Sequence, residues 1–205
     1  MMKAFTSETS KVISIPGVNC DTDQILPGRF LKADRAQGYG QYLFHDIRRD
    51  EKGELDPAFP LNRPGADAAT ILLVEDNFGC GSSREGAVYA LVDHGIRSVI
   101  GPSFGDIFYN NALKNGLVPV QLPVADCEAL ADHIARFPDA EIKVDLEASQ
   151  LVLPGNLGIH PVSIDAFARD CILQGLDEIE MTFTYIEQIK AFEKDRIASH
   201  SWLDR

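Results

Sequence analysis

Residues 70–86 read "TILLVEDNFGCGSSREG". The run "TILLVE" (70–75) is apolar without interruption, as expected of a strand buried on both faces of a parallel sheet. A turn needs one or two glycines. The turn that follows holds Gly79, Gly81 and Gly86, with Cys80, Ser82, Ser83 and Arg84 between them. The next residues predict a helix that stops near "VDHG", with Gly95 as its C-terminal residue.

The same alternation continues on the C-terminal side. "RSVI" (97–100) is a second strand, "GPSFG" a turn, "DIFYNNALKNG" a helix closed by Gly116, and "LVPVQL" (117–122) a third strand. This spacing implies right-handed βαβ crossovers and a parallel sheet. Upstream, "KVISI" (11–15) is a strand ended by Pro16-Gly17. Downstream come a helix, "ADCEALADHIARF", and three short strands, "EIKVDLE", "QLVLPG" and "LGIHPVS", expected to form antiparallel hairpins. "IDAFARDCILQG" and "YIEQIKAFEKDR" (185–196) predict two further helices. Residues 17–46 are too rich in Asp, Gly and Pro for regular structure, and loops of that length are usually functional or disordered. Phe30, Tyr39, Tyr42 and Phe44 argue against disorder. Residues 48–67 read as a charged surface excursion. With no internal repeat, residues 1–205 read as one domain.

Of the 205 residues, 45% are hydrophobic and 24% charged, the balance of a soluble globular protein. The net charge of −12 disfavours a nucleic-acid groove and anionic membranes. No apolar run approaches the ~20 residues of a membrane helix, and "MMKAFTSETS" lacks the apolar centre of a signal peptide. A cytoplasmic location is expected. Cys20, Cys80, Cys127 and Cys171 form no close pair, so they are expected to be free thiols, and no iron–sulfur ligand set is recognisable.

From residue types alone the glycine-rich turn has two readings. "SSRE" fits a capping box, with Ser82 at the N-cap and Glu85 three residues on. That accounts for neither Gly79 and Gly81 nor Ser83 and Arg84. A helix N-terminus also offers free N–H groups and a positive dipole end, where a serine alkoxide is stabilised and an arginine forks onto a carboxylate or phosphate. A dinucleotide fingerprint fails because Arg84 stands where the last glycine belongs, and a phosphate loop lacks its lysine. "GPSFG" (101–105) fits the GxSxG of a serine hydrolase, but no histidine is placed to serve Ser103. Its plainer reading is an N-cap serine. In "CDTDQI", Asp21 and Asp23 are half of a hard-cation site or a turn that bonds its own backbone.

Three long stretches in register, "NCDTDQILP", "EDNFGCGSSRE" and "SFGDIFYNNALKNGLVPV", resemble the small subunits of 3-isopropylmalate dehydratases, and the likeness extends to "IDAFARDCILQGLDEI". That family is similar to the swivelling C-terminal domain of aconitases. The resemblance implies an α/β fold, a layered β/β/α swivelling domain with a mostly parallel central sheet. It implies a hydro-lyase subunit of leucine biosynthesis that isomerises 2-isopropylmalate and 3-isopropylmalate. Ser82 would be the base, Ser83 and Arg84 would hold a substrate carboxylate, and Thr22 and Asp23 would lie at the site's edge. Arg35 is the loop cation assigned to a carboxylate. Arg29, Phe30, Leu31 and Lys32 fall in the segment that sets substrate choice. A [4Fe-4S] cluster is expected in a large-subunit partner, with no metal in this chain.

Gly86, Val88 and Tyr89 stand where the family pattern "SSREHAPWAL" has His, Pro and Trp, and Gly105 stands where it has Ala. Glycine costs a helix up to about 1 kcal/mol relative to alanine, so Gly86 asks for a reason, such as room for a partner chain or a different substrate. With Lys32 nearby, a smaller methyl- or dimethylmalate is the alternative substrate. A non-catalytic anion-binding module is the alternative of another class.

Overall fold

The computed structural model describes residues 2–200 and 202. In chain order its elements are β1 (Ser7–Ile15), α1 (Thr22–Ile25), β2 (Ile71–Val74), α2 (Glu85–His94), β3 (Ser98–Gly101), α3 (Asp106–Lys114) and β4 (Val118–Gln121). They continue as α4 (Val124–Arg136), β5 (Glu141–Asp145), β6 (Gln150–Val152), β7 (Ile159–Pro161), α5 (Ala166–Gln174), α6 (Glu178–Phe183) and α7 (Ile186–Ser199). The strands form one sheet in the order β4-β3-β2-β1-β5-β6-β7. It is parallel through β1–β4, and the hairpin strands β5–β7 extend the other edge antiparallel.

Strand β1 starts earlier than expected, because "SETS" is polar throughout and is strand only through its partner β5. Its first half, Ser7–Lys11, pairs with β5 antiparallel, and its second half, Val12–Ile15, pairs with β2 parallel. Strand β2 is buried on both faces, as its apolar run implies. Leu72 and Val74 face a core shared with Ala87, Val88 and Leu91 of α2, while Ile71 and Leu73 face a second core shared with Cys127 and Leu130 of α4. Helix α2 ends at Gly95 with φ +103, a left-handed cap that glycine adopts without strain.

The loop at 17–46 is ordered by its aromatics. Phe44 is fully buried, its amide donates to the Ile25 carbonyl at 2.8 Å, and Phe30 stacks on Tyr42 at 4.2 Å. The excursion at 48–67 is not wholly on the surface. Arg48 and Leu61 are buried, and the Arg48 guanidinium donates twice to Asn62 Oδ1. Helix α6 follows a capping box, Asp177 with Glu180, that the sequence reading passed over. No helix among the described residues is long and apolar enough to cross a membrane.

Beyond the ends of β1, β2 and β3 the backbones stay side by side. The Asn19 amide donates to the Asp76 carbonyl (2.8 Å), the Gly79 amide to Cys20 (2.7 Å), the Phe78 amide to Ser103 (3.2 Å) and the Gly105 amide to Phe78 (2.9 Å). These contacts need bare backbone. A Cβ on Gly105 would stand 2.7 Å from the Gly79 carbonyl oxygen, and one on Gly79, where φ is +73, would overlap the Phe108 ring. Gly79→Ala therefore combines left-handed strain with overpacking. It is expected to destabilise the fold by about 3 kcal/mol, measured as a lower urea midpoint at unchanged m-value.

Candidate active site

The glycine-rich turn lies at the carboxyl end of β2, where ligands of parallel α/β sheets bind. The residues after β1 and the loop after β3 flank it. Two serine assignments change. Arg84 is itself extended, with φ −98 and ψ 102, so α2 begins at Glu85 with Arg84 as its N-cap and no side-chain cap. Ser82 is therefore not the capping residue. Ser103 does not cap α3 either, whose N-cap is Gly105. Its hydroxyl donates to Asp76 Oδ1 (2.5 Å) and accepts from the Asn77 amide (2.9 Å), clamping the start of the turn. That engagement gives Ser103 a structural role and leaves the hydrolase reading without a free nucleophile.

The Ser82 and Ser83 side chains are exposed. The fold uses the Ser82 carbonyl, which accepts from the Thr22 hydroxyl (3.2 Å) and the Arg84 amide (2.8 Å). Thr22 is buried, and its amide donates to the Cys80 carbonyl at 3.0 Å. The aspartates around it behave as a self-bonding turn. Asp21 caps α1 in a reciprocal capping box with Gln24. Asp23 Oδ1 accepts from the Gly28 amide (3.1 Å) and from Arg84 Nη1. The structure thus brings Thr22, Asp23, Ser82, Ser83 and Arg84 together.

Arg35 is not with them. Its guanidinium forks onto Asp93 near the far end of α2, at 2.5 and 3.1 Å, and lies 4.4 Å from the Tyr89 ring centroid. Of the segment assigned to substrate choice, Arg29 forks onto Asp46, with Nη1–Oδ2 at 2.7 Å, and Phe30 stacks on Tyr42 and lies tilted against His45. Lys32 is exposed. Leu31 makes the contact that the sequence reading missed. A Cβ on Gly86 would stand 2.6 Å from Leu31 Cδ2 and 3.0 Å from Leu26 Cδ2. The bare helix position at 86 therefore has an intramolecular reason, and needs neither a partner chain nor a smaller substrate. A lone glycine in the first turn of a helix was the available signal.

Among the described residues, no three His, Cys, Asp or Glu side chains converge as a metal site. Burial pushes the Cys20 thiol up to about 12, with Asp21 and Cys80 adding to it, and the Cys127 thiol up to about 11. Neither is a ready thiolate ligand at neutral pH. Among the described residues the cysteines do not converge as the ligand set of an iron–sulfur cluster.

Residues 2–125 match the family described as the aconitase C-terminal domain. The chain is 44% identical to the 3-isopropylmalate dehydratase small subunit of Dinoroseobacter shibae, over 98% of this chain and all of that one. It is 47% identical to the small subunit from Geobacillus kaustophilus, over 94% of this chain and 97% of that one. In fold it is similar to the crystal structure of 3-isopropylmalate dehydratase from Methanocaldococcus jannaschii. The TM-score is 0.63 at 24% identity, over 90% of this chain and 99% of that one.

The hydrogen bond from Arg84 holds the Asp23 carboxyl below the usual carboxylate range, and the Gly28 amide adds to this. A lowered folded value means that the pair stabilises the fold above the unfolded aspartate value of about 3.9, and that this contribution is lost as pH falls through the folded value. An NMR titration of the Asp23 carboxyl carbon is expected to show a midpoint below about 3.9, which Arg84→Gln moves upward. An unchanged midpoint in Arg84→Gln would mean that the two side chains are not paired in solution.

Proposed function

This chain belongs to the aconitase C-terminal domain family and, within it, to the 3-isopropylmalate dehydratase small subunits, and we propose that it completes the active site of such a hydro-lyase. The partner is a large subunit that carries the [4Fe-4S] cluster. The substrates are 2-isopropylmalate and 3-isopropylmalate, interconverted by loss and re-addition of water. The observation that carries this reading is the Ser82–Arg84 turn. Its hydroxyls are exposed, the uncapped N-terminus of α2 lies behind it, and the Thr22 hydroxyl anchors its backbone.

The Ser82 oxygen takes the proton from the carbon beside a substrate carboxylate. The electron pair of that C–H bond becomes the new C=C bond, and the hydroxyl on the neighbouring carbon departs with a proton as water. Re-addition of hydroxyl and proton with the two carbons exchanged gives the isomer. An ordinary serine is a weak base, so the oxygen needs stabilisation of its anion. The α2 dipole, the free N–H groups of its first turn and the Arg84 charge supply it. Ser83 and Arg84 hold the carboxylate. Asp23 Oδ1 lies against Arg84 Nη1, so an incoming carboxylate would replace one anion with another and leave no cation uncompensated. Arg35, committed to Asp93, has a positioning role at the far end of the same helix. A cytoplasmic location goes with this reading.

In the complex reconstituted with its large subunit, Ser82→Ala is expected to lower kcat by about three orders of magnitude or more with little change in KM. Arg84→Lys should act mainly on KM, because a point charge cannot replace a planar fork. Ser103→Ala should lower thermal stability more than it lowers the chemical rate. If Ser103→Ala abolished turnover while Ser82→Ala left it intact, the assignment of the base would be wrong.

A further inference from the structure

Two adjacent arginines, Arg48 and Arg49, open the charged excursion at 48–67. Arg48 is only 9% exposed, and its Nε and Nη2 donate to one neutral acceptor, Asn62 Oδ1, at 2.9 and 2.7 Å. Arg49 donates Nη1 to the Gly53 carbonyl (2.8 Å), and its Nε is buried with no acceptor. Among the described residues neither guanidinium lies within ion-pair distance of an acid. The chain holds 31 Asp and Glu against 19 Lys and Arg, so a carboxylate was not in short supply. Buried charges are ordinarily paired, because their removal from water is costly. Both arginines line one cavity of about 390 Å³, together with Gly38, Gly40 and the end of α2 at Asp93 and His94. Gly40 lets the loop rest on that end, since a Cβ there would stand 2.6 Å from the Asp93 carbonyl oxygen.

We infer that this cavity binds a doubly charged oxyanion at Arg48 and Arg49, as free phosphate or as the phosphate group of a small metabolite. The site lies at the far end of α2 from the Ser82–Arg84 turn, and it stands independently of the function proposed for that turn. The cavity exceeds many times over the share of one water in the liquid, about 30 Å³, so it takes an ester with a short carbon chain as well as the bare ion.

The charges around the cavity leave the two arginines in excess. Asp93 is already neutralised, because Arg35 forks onto it and the Tyr39 amide donates to its Oδ2 at 2.7 Å. Asp50 and Asp56, the nearest acids in sequence, turn Oδ1 to the backbone amides of Lys52, Glu54 and Ala58. Burial and the Arg48 charge lower the His94 pKa from its ordinary value, so above about pH 7 its ring is neutral and adds no charge. The C-terminal end of α2 carries about half a negative charge, less than the two whole positive charges of the arginines. Burial, and then the neighbouring Arg49 charge, lower the Arg48 pKa as well, an effect that a bound anion would oppose. Nη1 of Arg48 and Nη2 of Arg49 have no acceptor among the described residues. Each can therefore donate to a phosphate oxygen without breaking a bond that the fold uses.

The test is a calorimetric titration of the full chain at low ionic strength with sodium phosphate and, separately, with glycerol phosphate. Saturable binding with a Kd of about 1 mM or tighter is expected, the scale of two charge-assisted contacts. Phosphate should also raise the melting temperature, since only the folded chain forms the cavity. Arg49→Gln should weaken binding by about tenfold or more. Arg136→Gln removes the same charge from an exposed position on α4 and should change binding by less than about twofold, which separates a built site from net charge. Arg48→Gln should abolish binding, and if the loss of its bonds to Asn62 unfolds the chain, Arg49→Gln decides alone. Tighter binding of glycerol phosphate than of phosphate assigns the site to an ester, and equal or weaker binding assigns it to the free ion. No saturable binding of either probe overturns the inference. So does a Kd that Arg49→Gln leaves within about twofold of the parent.

Discussion

The hydrogen bond from the Gly79 amide to the Cys20 carbonyl, 2.7 Å long, is the contact on which the site depends. It joins the segment leaving β1 to the turn leaving β2 just where both have left the sheet. Next to it, Thr22 reaches the Ser82 carbonyl and Asp23 reaches Arg84. A side chain at 79 would strike the Phe108 ring and force this turn away from α3. The turn would then keep its sequence while losing its frame. Phe108 packs over the same glycine from α3, and the Gly105 amide bonds the Phe78 carbonyl, so three successive strand ends share one constraint.

Much of this was legible in the sequence, for identifiable reasons. A four-residue strand buried on both faces leaves an unbroken apolar run, and left-handed helix ends select glycine, so β2 and the C-terminal limit of α2 could be read from "TILLVE" and Gly95. The aspartate turn was legible because its hydrogen bonds are local, with Asp21 and Gln24 only three residues apart. The first half of β1 was not, because "SETS" is polar and owes its strand geometry to β5, more than a hundred residues away. Capping went wrong at Ser82 and Ser103 for a related reason. A serine before a helix is a sound signal until the backbone stays extended past it, as at Arg84, or its hydroxyl bonds elsewhere, as Ser103 does to Asp76.

Ser82, Ser83 and Arg84 adjoin in sequence, and Thr22 and Asp23, expected beside them only from the family resemblance, do lie against them. The Asp23–Arg84 pair and the seat of Leu31 on Gly86 were not legible. Each joins residues more than fifty positions apart, and no local spacing encodes such a contact. Gly86 announced itself only as an anomaly, a poor helix former where a good one would serve. Arg35 illustrates the opposite case. The family resemblance assigned it to a substrate carboxylate, yet Asp93, equally ordinary in sequence, already holds its fork.

The divided pairing of β1 bears on the order in which the chain can acquire its structure. β5, β6 and β7 are joined by short connections and can associate as soon as they exist. Helices α2 and α3 likewise form near the strands they follow. β1 instead waits for partners that emerge much later from the ribosome, β2 after the long loop and β5 only near residue 145. Closing that loop costs chain entropy before the β1–β2 ladder returns any stabilisation, so this step carries the largest contact order in the parallel half. During synthesis the first strand therefore remains an unpaired edge with apolar Val12, Ile13 and Ile15, the part of the nascent chain most in need of protection from association.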